Sequence, residues 1–526
     1  MSLEAFLHSL HFETDRSRPP DWEVDWEDAP LKVKLYRGLP SVPLSSEVPL
    51  TLEEGRAPQK PGLNSIGHLL WYVYGLTQTC QSSFAPDSAQ QAESSLQWSR
   101  RFVPSGGGLY PSEVYVYLKI EDVPAGVYHY DVAHHRLELM REGDFDRYLA
   151  RSLGNRCDVS SCFGAVFVST VFWKNFYKYY NFSYRLQGLD AGVLIGQLLE
   201  VSKRFGFATC VYFQFLDRAV NHLLGLSERE ESVYAIIPLS AELARRGIAI
   251  SNAGAGNIFA GELCRELPAV QHNASFRSRK VKDYSLLVKM NVASMLESSR
   301  SFREIGGERN IGYGSRAFAL PYVKGLSYDL ALACRKRRSP DMDFVLREVT
   351  LLQVAALLQE AAASFHYRND LDGGDDALAT RVSLYCCLYG VENIPDGAYR
   401  YDSAAHLLRQ IRPGDHRYWL QQAMTLHNIN LFQVPICFHL VGDQNHLLPA
   451  LGYRGYRTRQ MEAGILVQRI LLAASALGMG GHPLLGFDTR LCDDIYELAP
   501  HGKTTLIQIP VGPYRNRPRL EGSLHG

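Results

Sequence analysis

The sequence predicts an α+β fold built twice in one chain: two tandem domains, each an antiparallel-rich mixed sheet flanked by helices, closing on one another as an intramolecular pseudo-dimer. Two observations predict this. A repeat runs through the chain at an offset of about 271 residues, and within each copy β-rich runs lead to one long helix with an apolar stripe. VPAGVYHYDVAHHRL (123–137) returns as IPDGAYRYDSAAHLL (394–408) with eight of fifteen positions identical, among them Gly126/Gly397, Tyr128/Tyr399 and Asp131/Asp402. YRLQGLDAGVLIGQLLEVSKRFGF, from 184, returns as YRTRQMEAGILVQRILLAASALGM, from 456. The order of elements is therefore kept in both copies.

Each element follows from its pattern. An arm (1–50) precedes the first domain (51–245). VYVYLKI and SLYCCLYGV are β-rich, and the PxG after each marks a turn into a short strand, YHYD or YRYD, so each copy is expected to hold a hairpin there. DAGVLIGQLLEVSKRFG and EAGILVQRILLAASALG begin on an acidic residue, end on Gly and repeat apolar residues at i, i+3, i+4 and i+7, which predicts a buried helix of about four turns. VYAIIPL and TTLIQIPV supply a strand after each helix. Residues 246–285, rich in Gly, Ala and charge, are expected to link the first domain to the second (286–526).

Composition narrows the function. A chain of 526 residues affords two large cores, and 46% hydrophobic with 21% charged residues is ordinary for a globular protein. Lys plus Arg (55) equals Asp plus Glu (55), so no global field draws the chain to nucleic acid or to an anionic membrane. Ten cysteines without CxxC spacing are expected to be free thiols in a reducing cytoplasm. The N-terminal stretch lacks an export pattern, and the longest apolar run is broken by Gln468 and Arg469, so a cytoplasmic, soluble protein is expected. Seventeen scattered histidines suggest no metal site.

The chemistry concentrates in a few segments. RRFVPSGGGLYPSEVYVY (100–117) puts Pro104, Ser105, Gly106, Gly107 and Gly108 directly before a strand, where consecutive glycines let backbone approach a flat ligand and offer N–H donors to it. Alone, SGGG reads as a plain turn; the run PSGGGLYP, GVYHYD, KYYNFSYR and LDAG decides otherwise. That run resembles the SagB-type peptide dehydrogenases, FMN-dependent azoline oxidases within the nitroreductase superfamily, over roughly residues 20–240, and the second copy resembles a nitroreductase domain more loosely.

The resemblance implies FMN as cofactor and an adjacent Lys-Tyr pair, here Lys178 and Tyr179, as the catalytic feature. Dehydrogenating a thiazoline or oxazoline removes an acidic Cα proton, which needs a base, and passes a hydride to the flavin. A surface lysine in a Tyr-rich stretch is the competing reading of Lys178. Tyr180 follows the pair where the family typically has Gly, and copy two has Ala450-Leu451 at the pair's position. In copy two, ESSRSFREI (297–305) resembles the family's phosphate segment, which points to Arg300, Ser301 and Arg303; LGMGGHPLLGFD (477–488) resembles its flavin loop, through Gly480 and Gly481; and IPVGPYRNRPR (509–519) resembles its closing strand, with Arg515 and Arg517. One composite site with one FMN is then expected, copy two holding the phosphate and copy one the base. A peptide or carrier-bound substrate, dioxygen as electron acceptor and a cyclodehydratase or other biosynthetic enzyme as partner are implied. An NAD(P)H-dependent nitro or quinone reductase and a non-catalytic peptide-binding scaffold are the competing functions. The pseudo-dimer needs no second chain to close its interface, and further association stays open.

Overall fold

The computed structural model describes residues 1–14, 19–53, 60–84, 94–241, 256–307, 316–364, 366–372, 381–516 and 520–523. Each copy holds a seven-stranded sheet in the same order. In copy one the strands run Ser41–Pro43, Arg136–Glu142, Gly126–Asp131, Ser112–Leu118, Gly164–Val171, Glu231–Ser240 and Ala208–Thr209. Copy two repeats this with Ala317–Ala319, Leu407–Pro413, Gly397–Asp402, Ser383–Leu388, Ile436–Asp443, Lys503–Gly512 and Gly480–Gly481. The described ladders are all antiparallel rather than mixed. Both predicted hairpins form, with Leu118 opposite Gly126 and Leu388 opposite Gly397.

The two long helices, Ser183–Phe205 and Arg454–Ala476, are the centre of the molecule. Each is 23 residues long and starts well before the acidic residue expected to open it, so Asp190 and Glu462 stand inside their helices. A Cβ on Gly192 would strike the Met461 carbonyl, and one on Gly464 would strike that of Leu189. Gly188 meets Gln460 in the same way, and Gln468 Nε2 donates to Gln197 Oε1 at 2.7 Å. Each helix thus meets its own counterpart, which sets the pair parallel about a pseudo-twofold axis. At their N-terminal ends Tyr184 and Tyr456 stack with centroids 5.9 Å apart. The largest apolar cluster draws on both copies, with Leu194, Ile195 and Leu198 beside Ile465, Leu466 and Ile470. Burying it holds the two domains as one body.

The helix Leu63–Tyr74 ends at Gly75, and Leu76–Phe84 is a strand, which pairs with Ser94–Arg101 and with the strand Leu520–Ser523, so copy two lends a strand to copy one. Of the expected linker, 246–255 lies outside the described residues. The rest is more than a tether: Ala260–Glu266 is a helix, and Ile258, Ala260 and Leu263 are buried against copy one. Among the described residues no helix is long and apolar enough to cross a membrane.

Candidate functional site

Lys178 and Tyr179 end a seven-residue helix, Trp173–Tyr179, that runs into the first central helix. Tyr180 follows at φ 51°, ψ −140°, a region that L side chains rarely occupy; its counterpart Gly452 has φ 57°, ψ −152°. Copy one thus keeps a tyrosine in a glycine conformation beside the pair. The pair lies against Gly107, which sits at φ +64°: a Cβ there would strike the Tyr179 hydroxyl and come within 3.1 Å of Lys178 Nζ. At this φ glycine is favoured, and a side chain there would push the Tyr179 hydroxyl and Lys178 amine aside.

Asp190, one helical turn or more inside the central helix, fixes the loop from below. Ser105 Oγ donates to its Oδ2 at 2.6 Å, the Gly106 N–H donates to its Oδ1 at 3.0 Å, and the Tyr110 N–H returns to Ser105 Oγ at 2.8 Å. Burial lifts the Asp190 carboxyl to about 6 against the pull of these donors. Burial also lowers Lys178, which favours the free amine a base requires, and raises Tyr179, which keeps its phenol protonated. Trp26 of the arm, 59% exposed, stands 5.4 Å from Lys178 Nζ at its ring centroid.

Copy two contributes the turn after the helix Leu330–Lys336, where Arg335, Lys336, Arg337 and Arg338 form the chain's one run of four basic residues. Its Pro340 packs on Gly480, the Gly481 N–H donates to Arg338 O at 3.2 Å, and the Arg515 N–H donates to Asp343 O at 2.9 Å. Gly481 therefore spends on this turn the donor expected to face a ligand. Arg337 is 5% exposed beside Tyr110 of copy one, and Arg100 of copy one donates to its carbonyl. Among the described residues Arg337 Nε finds no hydrogen-bond acceptor, and neither do Nε and Nη1 of Arg101, which lies over the Tyr74 and Tyr110 rings. These N–H groups are donors still open to an anion, a feature several other buried arginines share.

The predicted residues thus divide. Pro104 to Gly108 with Lys178 and Tyr179 converge, and Gly480, Gly481 and Arg515 surround a turn that meets them at Tyr110. Arg517 lies outside the described residues. Arg300, Ser301 and Arg303 do not join this site. They are exposed, Arg303 pairs its backbone N–H with Gln214, and Ser301 and Arg303 line a cavity of about 220 Å³ with Arg454 and with Ala450 to Gly452, the counterparts of Lys178 to Tyr180. They border the pseudosymmetric second site. Sequence pattern missed Arg337 and Asp190; the four-residue basic run and the LDAG acid were the available signals.

Comparisons with known proteins agree with this architecture. The model of the Nitroreductase family matches residues 83–239 and 349–513, one match in each copy and more than half of the chain together. The trifolitoxin-processing protein TfxB of Rhizobium leguminosarum bv. trifolii is 28% identical over 221 residues, 38% of this chain and 56% of that protein, so the chain spans little more than half the length of this relative. A provisionally assigned nitroreductase from Anabaena variabilis, at 23% identity, superposes with a TM-score of 0.72 over 98% of this chain and 99% of its own, and so shares the whole two-copy fold. A chain of the E. coli microcin synthetase McbBCD complex, at 24% identity, aligns over 35% of this chain and 70% of its own with a TM-score of only 0.28. With both halves of the repeat matched, this chain belongs to the nitroreductase family.

Proposed function

We propose that the protein is an FMN-dependent dehydrogenase that oxidises a thiazoline or oxazoline, in a peptide or carrier-bound precursor, to the azole. The observation that carries this reading is the contact of Lys178 and Tyr179 with Gly107, a base candidate with a lowered pKa against a glycine loop. The likeness to a toxin-processing protein supports a peptide substrate.

The residues fit the cofactor. Arg337, with Arg338 and Ser339 beside it, would hold the phosphate, and the 104–108 loop the ring. Bound FMN supplies an acceptor for the two electrons that leave the substrate Cβ as hydride, with dioxygen the final acceptor. Lys178 Nζ takes the Cα proton, which imine and carbonyl neighbours acidify. Tyr179, protonated, orients that amine or the ring heteroatom. Asp190 keeps the loop at its distance from the pair, and Trp26 shields the pair on the arm side.

An absorbance spectrum with FMN quantification tests the cofactor; one FMN per chain is expected, and two equivalents would contradict a single composite site. Mass spectrometry of a model azoline peptide should show a loss of 2 Da. Flavin bleaching by NADPH with no azole formed would replace this reading with a nitro or quinone reductase, and failure to take up FMN would replace it with a peptide-binding scaffold.

A further inference from the structure

Beneath the site, copy one carries a row of buried charges that the chemistry above does not use. Lys174, one turn before Lys178 on the same short helix, is 4% exposed and forms an ion pair with Glu113 of strand Ser112–Leu118. Glu113 Oε2 lies 3.0 Å from His129 Nε2, His129 Nδ1 lies 3.3 Å from Glu138 Oε2, and Arg136 donates to Glu138 Oε1 at 2.9 Å. Burial opposes charge on His129, but its bonds to the two carboxylates outweigh it and hold the imidazole above its usual range. Burial likewise opposes charge on Glu113, and Lys174 overcomes it, holding the carboxyl at about 2.

Its upper end reaches two segments beside the pair. Lys174 Nζ also donates to Tyr110 O at 3.4 Å, on the segment after the glycine loop, and to Lys32 O at 3.2 Å, on the arm. The helix that carries it is seven residues long with no side-chain N-cap, too short to hold an orientation by its own hydrogen bonds.

Copy two lacks the row entirely. Strand register puts Ser383 in the place of Glu113, Arg400 in that of His129 and Arg409 in that of Glu138, while the repeat puts His446 in that of Lys174. The same copy has Ala450-Leu451 for the pair. Buried ion pairs rarely add stability over apolar side chains of similar size, so a fold that does without the row in one half has another reason to keep it in the other.

We propose that Lys174, fixed by Glu113, is a positioning residue: it sets the rotation of the short helix so that Lys178 and Tyr179 close on Gly107. The activity readout of this proposal rests on the function proposed above, whereas its structural readout does not. The test is the double variant Glu113→Gln/Lys174→Met, which removes both charges of the pair and leaves His129 held by Glu138. Hydrogen exchange of amides 174–182 should speed at least tenfold while the midpoint of thermal unfolding stays within a few degrees. On an azoline peptide kcat should fall at least tenfold with KM within threefold and FMN content unchanged. Unaltered exchange together with kcat within twofold of the parent overturns the proposal. Faster exchange in a protein whose parent makes no azole leaves the positioning role standing and removes the function. Should the double variant not fold, Glu113→Asp keeps the charge but draws it back by one methylene, and full kcat in that variant overturns the proposal equally.

Discussion

Asp190 and Glu462 occupy the same place in the two central helices and do opposite things. Asp190 takes its hydrogen bonds from Ser105 and Gly106 and so holds open a glycine loop beside Lys178. Glu462 accepts from Arg381 at 2.6 Å, and Arg381 is bound in turn to Asp372 and Asn369. One half keeps an acid that holds the backbone of a glycine loop beside Lys178, and the other pairs its acid with Arg381 in an ion-pair cluster. Duplication inside one chain allows this: the interface is inherited by both halves, so either site can decay without loss of the fold. The difference teaches that the central helices carry the architecture while the residues at their N-terminal ends carry the specialisation.

The comparison can be broken most sharply at Lys178. Lys178→Ala should lower kcat for azoline oxidation about a thousandfold, the upper-middle range for loss of a general base, with FMN content kept. A variant with full turnover would move the base elsewhere. Next comes the shared axis: Gly192→Ala sets a methyl against the Met461 carbonyl and should cost about 3 kcal/mol in urea denaturation. Gly261→Ala, with open space around it, should cost nothing, and equal effects of the two would deny the close helix contact.

A third measurement sharpens which basic turn of copy two grips the anion. Arg337→Ala should weaken FMN binding roughly tenfold to a hundredfold, the value of a charge-assisted hydrogen bond, while Arg303→Ala should leave it within threefold. The reverse order would return the phosphate to the 300–303 turn. The smallest effect concerns Asp190. Its folded-state pKa of about 6 lies above the usual 3.8, so the folded protein holds a proton that the unfolded chain releases. Stability from this group is therefore lost as pH rises between those two values and is level above them. Asp190→Asn should remove that slope and stabilise the protein by about 1–2 kcal/mol at pH 7. Urea midpoints measured from pH 4 to 7 decide it, and a parent that gains stability over the variant across that window would overturn the assignment.

Much of the fold was legible because its signals are local. The PxG hairpins, the apolar stripes of both central helices and the strands VYAIIPL and TTLIQIPV each report burial over a few residues, and the duplication reports itself by identity. The glycine loop and the Lys-Tyr pair stood out only through their resemblance to a family, not through periodicity, and the structure brings them together at Gly107. The helix start was misread because Asp190 looks like an N-terminal acid, although its partner lies 85 positions earlier in the chain, at Ser105.

By itself, the sequence determined that one unit is built twice, that each unit is helix on antiparallel sheet, and that only copy one bears the pair. Only the tertiary structure decided which basic turn lies beside Tyr110 of copy one. Arg300 to Arg303 and Arg335 to Arg338 are both basic turns, and nothing within either segment says which side of the pseudo-twofold it occupies. That choice is made where Gly192 and Gly464 let the central helices touch, because the distance of approach sets which loops of one copy reach the other. Periodicity records how a residue is buried, whereas a site is a meeting of segments hundreds of residues apart, and the packing of whole domains arranges it.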